Sequence, residues 1–126
     1  MRKLIITAFL FVSSMITNSN ADGHAIKMGI ILGFTGPIES LTPAMAASAE
    51  LAFKEASDSG SLLGGKYISV SRADSTCVDS AAAVTAAEGL VSGGTVAIMG
   101  ADCSGVTGAI AEKVAVPNGV VMISPS

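Results

Sequence analysis

Short apolar runs alternate with alanine-rich stretches of helical period along most of this 126-residue chain, and that alternation restricts its fold more than any other feature. A strand that runs parallel to its predecessor needs a crossover of about a dozen residues or more, normally a helix, so the order βαβαβαβ implies a parallel sheet covered on both faces. Ile26-Lys27-Met28-Gly29-Ile30-Ile31-Leu32-Gly33 is the first expected strand, Ile-rich as a strand buried on both sides should be. Thr35-Gly36-Pro37 marks a turn within residues 34–41, and Thr42-Pro43 offers an N-cap hydroxyl followed by proline at the first helical position. The helix expected over residues 44–57 carries Met45, Ala49, Ala52, Phe53 and Ala56 at three- and four-residue spacing, a face for packing on the sheet. Asp58-Ser59-Gly60 ends it, and Gly64-Gly65 turns into residues 66–73. Their alternation of apolar with polar side chains predicts a strand exposed on one face, near a sheet edge. Asp79 or Ser80 caps a second helix over residues 81–91, with Ala82, Leu90 and Val91 among its buried positions and Gly93-Gly94 as its stop. Residues 95–99 make a third strand and residues 100–104 a loop. A third helix runs from Gly105 to Val114 or Ala115, and Pro117-Asn118-Gly119 breaks to a fourth strand. The expected class is α/β, a doubly wound parallel sheet without internal repeat or low-complexity linker.

The N-terminus reads as an export signal. Met1-Arg2-Lys3 is positively charged, the run from Leu4 to Val12 is apolar apart from Thr7, and Ser19-Asn20-Ala21 fits a small-x-small cleavage site, so residues 1–21 are expected to be a signal peptide. A membrane span needs about 20 apolar residues, and the polar side chains between Ser13 and Asn20 stop this run short of that. The expected exported part, residues 22–126, therefore spans no membrane. It loses Arg2 and Lys3 from the seven basic residues, leaving five against ten acidic ones. An acidic surface with no basic stripe repels phosphate backbones, which argues against a nucleic-acid partner. Residues 120–126 read as a strand followed by nothing, so the chain is expected to be an N-terminal piece of a longer protein.

In a parallel α/β sheet, ligands bind outside the carboxyl ends of the strands, which selects residues 33–41, 100–104 and 124–126. Ser104 stands where the third helix begins, and free N–H groups with the positive dipole end favour an anion such as a carboxylate there; the alternative is that Ser104 only caps its own helix. Asp102, beside that turn, would oppose an anion and attract an ammonium group, unless it is simply a solvated loop acid. Cys77 and Cys103 each follow a strand, on loops leaving the same sheet edge. Export and an even number point to a disulfide, with two buried thiols as the alternative. Catalysis finds little support. Ala101-Asp102-Cys103-Ser104-Gly105 is not a G-x-S-x-G elbow, and the single histidine, His24, sits in the N-terminal tail, so a serine nucleophile lacks its usual base. No dinucleotide or P-loop glycine pattern is present, Asp74, Asp79 and Asp102 are scattered, and neither a metal nor another cofactor is expected.

The stretches 26–37, Asp74-Ser75-Thr76-Cys77, Met99-Gly100-Ala101-Asp102-Cys103-Ser104 and 119–126, in this order, resemble the periplasmic Leu/Ile/Val-binding proteins, the substrate-binding components of branched-chain amino acid ABC transporters. The resemblance implies the N-terminal lobe of a type I periplasmic binding fold, whose two lobes close on an amino acid for uptake, with a membrane permease and an ATPase as partners and a periplasmic location. It also implies a ligand set. Ser104 falls on the serine that holds the ligand carboxylate, on the turn that includes Cys103, and Ser126 would contact the ammonium group through its carbonyl. Leu41 stands where some members place an aromatic near the ligand. The family's cysteine pair matches Cys77 and Cys103. Asp102 departs from the pattern, replacing an apolar residue, so the solute could instead be an amide, urea or another small polar molecule. The remaining alternatives are a sensory domain of a receptor and, from another class, a secreted α/β hydrolase using Ser104.

Overall fold

A computed structural model describes residues 25–126; the expected signal peptide over residues 1–21 and His24 lie outside them. The element order is β1 (Ala25–Leu32), α1 (Thr42–Asp58), a 3-10 turn (Leu62–Gly64), β2 (Tyr67–Asp74), α2 (Ser80–Ser92), β3 (Ala97–Gly100), α3 (Ser104–Ile110), a π-helical turn (Ala111–Ala115), α4 (Val116–Asn118) and β4 (Val121–Ile123). All strand pairs are parallel and the sheet order is β2-β1-β3-β4. The chain thus steps outward from β1 to β2, then crosses back to continue on the other side of β1. That reversal opens a crevice between the carboxyl ends of β1 and β3.

β1 is apolar apart from the exposed Lys27, and its second half, Gly29 to Leu32, is buried because both faces are covered there. Ile30 and Leu32 pack with Ala46 of α1 and with Phe34, Met45, Ala49 and Phe53. Ile31 points the other way, into a cluster with Ala83, Ala87 and Leu90 of α2, Ile98 of β3, and Val106 and Ile110 of α3. β2 lies at the sheet edge with the alternating exposure that its pattern predicted.

Several local expectations are corrected by the structure. Thr42 does not cap α1: Leu41 is the N-cap residue, and the fully buried Thr42 hydroxyl donates instead to the carbonyls of Gly33 (3.2 Å) and Glu39 (3.3 Å). Ala52 lies exposed, and the inward stripe of α1 runs through Thr42, Ala46, Ala49, Phe53 and Ala56. In α2 the buried alanines are Ala83 and Ala87, with Ala82 turned partly outward. Pro117 does not end the third helix; the chain stays helical to Asn118, and Gly119, at φ 64°, ends it. Proline is tolerated there because it follows directly on the π-helical turn Ala111–Ala115, where the regular i→i−4 pattern is already interrupted. Of the two candidates for capping α2, Asp79 does so, its carboxylate accepting from the N–H groups of Ala81 (2.9 Å) and Ala82 (3.0 Å).

The α1 side of the sheet is covered only over β1 and β2. Beyond them, Met28, Phe53, Ala97, Met99, Val121 and Ile123 line an open apolar recess of about 140 Å³.

Candidate functional site

Three loops meet outside the carboxyl ends of β1, β2 and β3. The first is residues 33–41. Thr35 closes it against β2, its hydroxyl donating to Asp74 Oδ2 (2.6 Å) and its N–H to Oδ1 (3.3 Å), while Thr76 N–H donates to Oδ1 at 2.8 Å. Burial alone would raise the Asp74 pKa, but the hydrogen bonds from Thr35 and Thr76 outweigh it and hold the carboxyl below its ordinary value. Because the folded value is depressed, the ionised group stabilises the fold fully above the unfolded carboxylate range near pH 4, and that contribution is lost as pH falls through the lower folded value. Asp74→Asn is expected to cost about 1 kcal/mol at pH 7, the solvent-accessible side of the site weakening each bond, and to flatten the acid limb of stability measured by urea unfolding between pH 5 and pH 2. An acid limb that keeps its slope in the variant would assign the dependence to other groups.

Further out on β2, Arg72 grips Glu50 of α1 with Nε to Oε1 at 2.6 Å and Nη2 to Oε2 at 2.7 Å, and lies 5.6 Å from the centre of the Phe34 ring. The Arg72 hydrogen bond lowers the Glu50 pKa, and the pair fixes α1 against the sheet rather than facing the loops.

The second loop holds Cys77 and the third Cys103, and the two are bonded, with 5.3 Å between their Cα atoms. Thr76 and Cys77 both adopt positive φ, 56° and 70°. The third loop leaves β3 at Gly100, where φ is 126° and the bond to Ala101 is cis. Asp102 is half-buried and hydrogen-bonded across the loops rather than a fully solvated loop acid. Both of its oxygens lie 3.0 Å from the Gly33 N–H, and Oδ1 accepts from the buried Ser75 hydroxyl at 3.4 Å.

Cys103, extended at φ −129° and ψ 124°, is the N-cap residue of α3, and Ser104 is the first residue of the helix. Ser104 therefore does not cap its own helix. The first helical bond runs from Thr107 N–H to Cys103 O (3.0 Å), so the N–H groups of Ser104, Gly105 and Val106 have no partner within the helix. Ser104 and Gly105 are exposed at the crevice. This arrangement offers a hydroxyl and backbone N–H donors, without a basic side chain, to a small anion.

Ser126 is brought to the same place by a chain of hydroxyls. Thr107 Oγ1 donates to Ala101 O (3.1 Å) and Cys103 O (3.0 Å); Ser124 Oγ donates to Ala101 O (2.6 Å), lies 2.6 Å from Ser126 Oγ, and accepts from Ser126 N–H at 3.1 Å. Thr107 and Ser124 tie the β3 and β4 loops together; Thr107 was missed in the sequence, and Ser124 fell in the candidate segment 124–126 without a role of its own. Their only signal is a hydroxyl one turn into α3 and another directly after β4. Leu41 stands apart from this group, at the start of α1, with 60 % of its surface exposed and its N–H bonded to Ile38 O. Among the described residues, no three His, Cys, Asp or Glu side chains are grouped as a metal ion would need, and no helix is long and apolar enough to cross a membrane.

No curated protein matches the chain. Solved structures do. A branched-chain amino acid transporter substrate-binding protein of Streptococcus pneumoniae, in complex with isoleucine, is 31% identical with a TM-score of 0.72 over 81% of this chain and 29% of its own length. A leucine-binding protein of Thermotoga maritima shares the fold at 24% identity, with a TM-score of 0.69 over 80% of this chain and 27% of its own. A solute-binding protein of Rhodopseudomonas palustris in complex with benzoate is 27% identical, with a TM-score of 0.66 over 81% of this chain and 27% of its own. The chain thus spans under a third of the length of these proteins. The family model for periplasmic binding proteins matches residues 25–126, all of the described chain, and the chain belongs to that family.

Proposed function

We propose that the chain is the N-terminal lobe of an exported substrate-binding protein of an ABC transporter, closing with a second lobe on a branched-chain or related small amino acid. The observation that carries this reading is Ser104: an exposed hydroxyl at the first position of α3, beside free helical N–H groups, at the point where the strand order reverses. A carboxylate is the ligand group that such donors fit, and the S. pneumoniae relative binds isoleucine. Ser104 and the turn at Cys103 would hold the carboxylate; the Ser126 carbonyl would meet the ammonium group, and Leu41 would border the ligand. The apolar recess over β3 and β4 supports a longer protein, in which further chain covers that face. Residues 1–21 would direct export and then be removed, and a permease and ATPase would receive the loaded protein. The family is extracytoplasmic and binds solutes rather than converting them, which sets the hydrolase alternative aside.

A second reading rests on the benzoate-bound relative: a carboxylate lacking an ammonium group, held by the same serine. Calorimetry on the whole protein, titrated separately with isoleucine and benzoate, decides between them. Ser104→Ala is expected to weaken the ligand that binds by roughly 10- to 100-fold, the worth of one hydrogen bond to a charged group. Unchanged affinity would remove Ser104 from the site. Binding of neither compound would leave an amide, urea or a sensory role as the reading to pursue.

A further inference from the structure

The backbone of Gly33 is held at both its N–H and its carbonyl. Its N–H donates to the Asp102 carboxylate, 3.0 Å from each oxygen, and its carbonyl accepts from the buried Thr42 hydroxyl at 3.2 Å. A Cβ on Gly33 would stand 3.2 Å from Cys77 Cβ, so the second loop closes over the same point. Asp102 thereby fastens the β3 loop to the β1 loop, 69 residues away, and through Ser75 to the β2 loop, 27 residues away. The next residue, Cys103, is fastened covalently to Cys77. Two consecutive residues just before Ser104 are therefore tethered independently, one by a carboxylate and one by a disulfide, to neighbouring loops on the same side of the crevice.

Resting on the ligand-binding role proposed above, we infer that Asp102 is a positioning residue that acts in parallel with the Cys77–Cys103 bridge, so that the Ser104 turn keeps its place when either tether is lost and loses it when both are. The carboxylate does not touch the ligand. Its oxygens accept from a backbone N–H of the β1 loop and a buried hydroxyl of the β2 loop, which directs the carboxylate toward those loops. A disulfide alone sets the separation of Cys77 and Cys103 but leaves torsional freedom, which the contact at Gly33 removes from the opposite side. With one tether in place, the Thr107 and Ser124 bonds to Ala101 O complete the support.

The test compares the whole protein with Asp102→Ala, Cys77→Ala and the double variant. The first readout needs no ligand: hydrogen exchange at the α3 amides of Thr107 and Ile110. Asp102→Ala is expected to exchange within about threefold of the parent, Cys77→Ala up to about three-hundredfold faster because losing the bridge lowers global stability, and the double variant roughly tenfold faster than the product of the single effects. Isoleucine affinity, by calorimetry, is expected to change within about threefold in each single variant and to fall in the double variant by roughly tenfold more than the product of the single effects. Asp102→Asn, whose amide oxygen still accepts from Gly33 N–H, is expected to restore both readouts in the Cys77→Ala background. Purely multiplicative effects on exchange would overturn the proposal, as would failure of Asp102→Ala alone to fold. So would loss of isoleucine binding in Asp102→Ala with α3 protection intact, since the carboxylate would then be a ligand contact. The expected exchange pattern in a protein that binds no isoleucine would uphold the tethers and overturn the ligand assignment.

Discussion

Reducing the Cys77–Cys103 bridge is expected to lower the stability of the lobe by about 3.5 kcal/mol. The bridge closes a segment with a sequence separation of 26, and the chain-entropy model gives that figure for a loop of this length. Small single domains carry about 5–15 kcal/mol in total, so the loss is a large share of the margin. For a lobe of about 100 residues it corresponds to a fall in Tm of roughly 15–25 °C. The loop itself makes the bridge matter beyond chain entropy. Thr76 and Cys77 are both at positive φ without being glycine, a conformation that costs of order 1–3 kcal/mol each and persists only where the surroundings impose it. Urea unfolding with and without reductant, followed by mass measurement to confirm two thiols, reads the effect. A midpoint that does not move on complete reduction would show that the denatured chain gains no freedom when the bridge opens.

Gly100→Ala is expected to be at least as damaging, at about 4 kcal/mol, and to act through a different mechanism. At φ 126° an L side chain is strained, and an ideal Cβ would stand 1.9 Å from the carbonyl oxygen of Ile31, backbone of the central strand that cannot swing aside. Strain of this kind and overpacking each cost about 1–3 kcal/mol, and here they coincide. The site would be displaced with the strand, because Ala101 O is the acceptor for both Thr107 and Ser124. Gly89→Ala provides the opposite sign: it sits inside α2 with nothing within 4 Å of its added carbon, and alanine there should stabilise by up to about 1 kcal/mol. Denaturant midpoints of both variants check the pair. Equal and small shifts would refute the role of close approach at Gly100.

The elements themselves were legible because strands and helices announce their periods locally. β1 reads as a continuous Ile-rich run because both of its faces are buried, and β2 alternates because one face is not. Helix phase was less legible where the side chains are alike. In α2, Ala82 and Ala83 differ by nothing but position, so composition could not say which turns inward, and packing against Ile31 and Ile98 selected Ala83. The Thr42 hydroxyl is chemically suited to a cap, but the helix begins at Thr42 itself, with Leu41 in the cap position, and its O–H donates to the Gly33 carbonyl, which only the folded loop supplies. Pro117 by itself did not stop the helix because it follows a π-helical turn that already interrupts the i→i−4 pattern; Gly119, two residues on, ends it.

The position of Ser104 at the start of α3 could be read from its place after β3, and the cysteine pair from export and parity. Asp102 could not be assigned, since an acid in a loop has the same sequence signature whether it is solvated, ligand-facing or hydrogen-bonded to a distant N–H. The sequence by itself determined the α/β class, the parallel connections and the three segments at the carboxyl ends of the strands, since these follow from period and crossover length within a few tens of residues. The tertiary structure alone decided the order β2-β1-β3-β4, the partnership of Asp102 with Gly33 and the hydroxyl chain from Thr107 to Ser126. These join groups up to 69 residues apart, and hydrogen bonding leaves no periodic trace along a chain by which such partners could be matched.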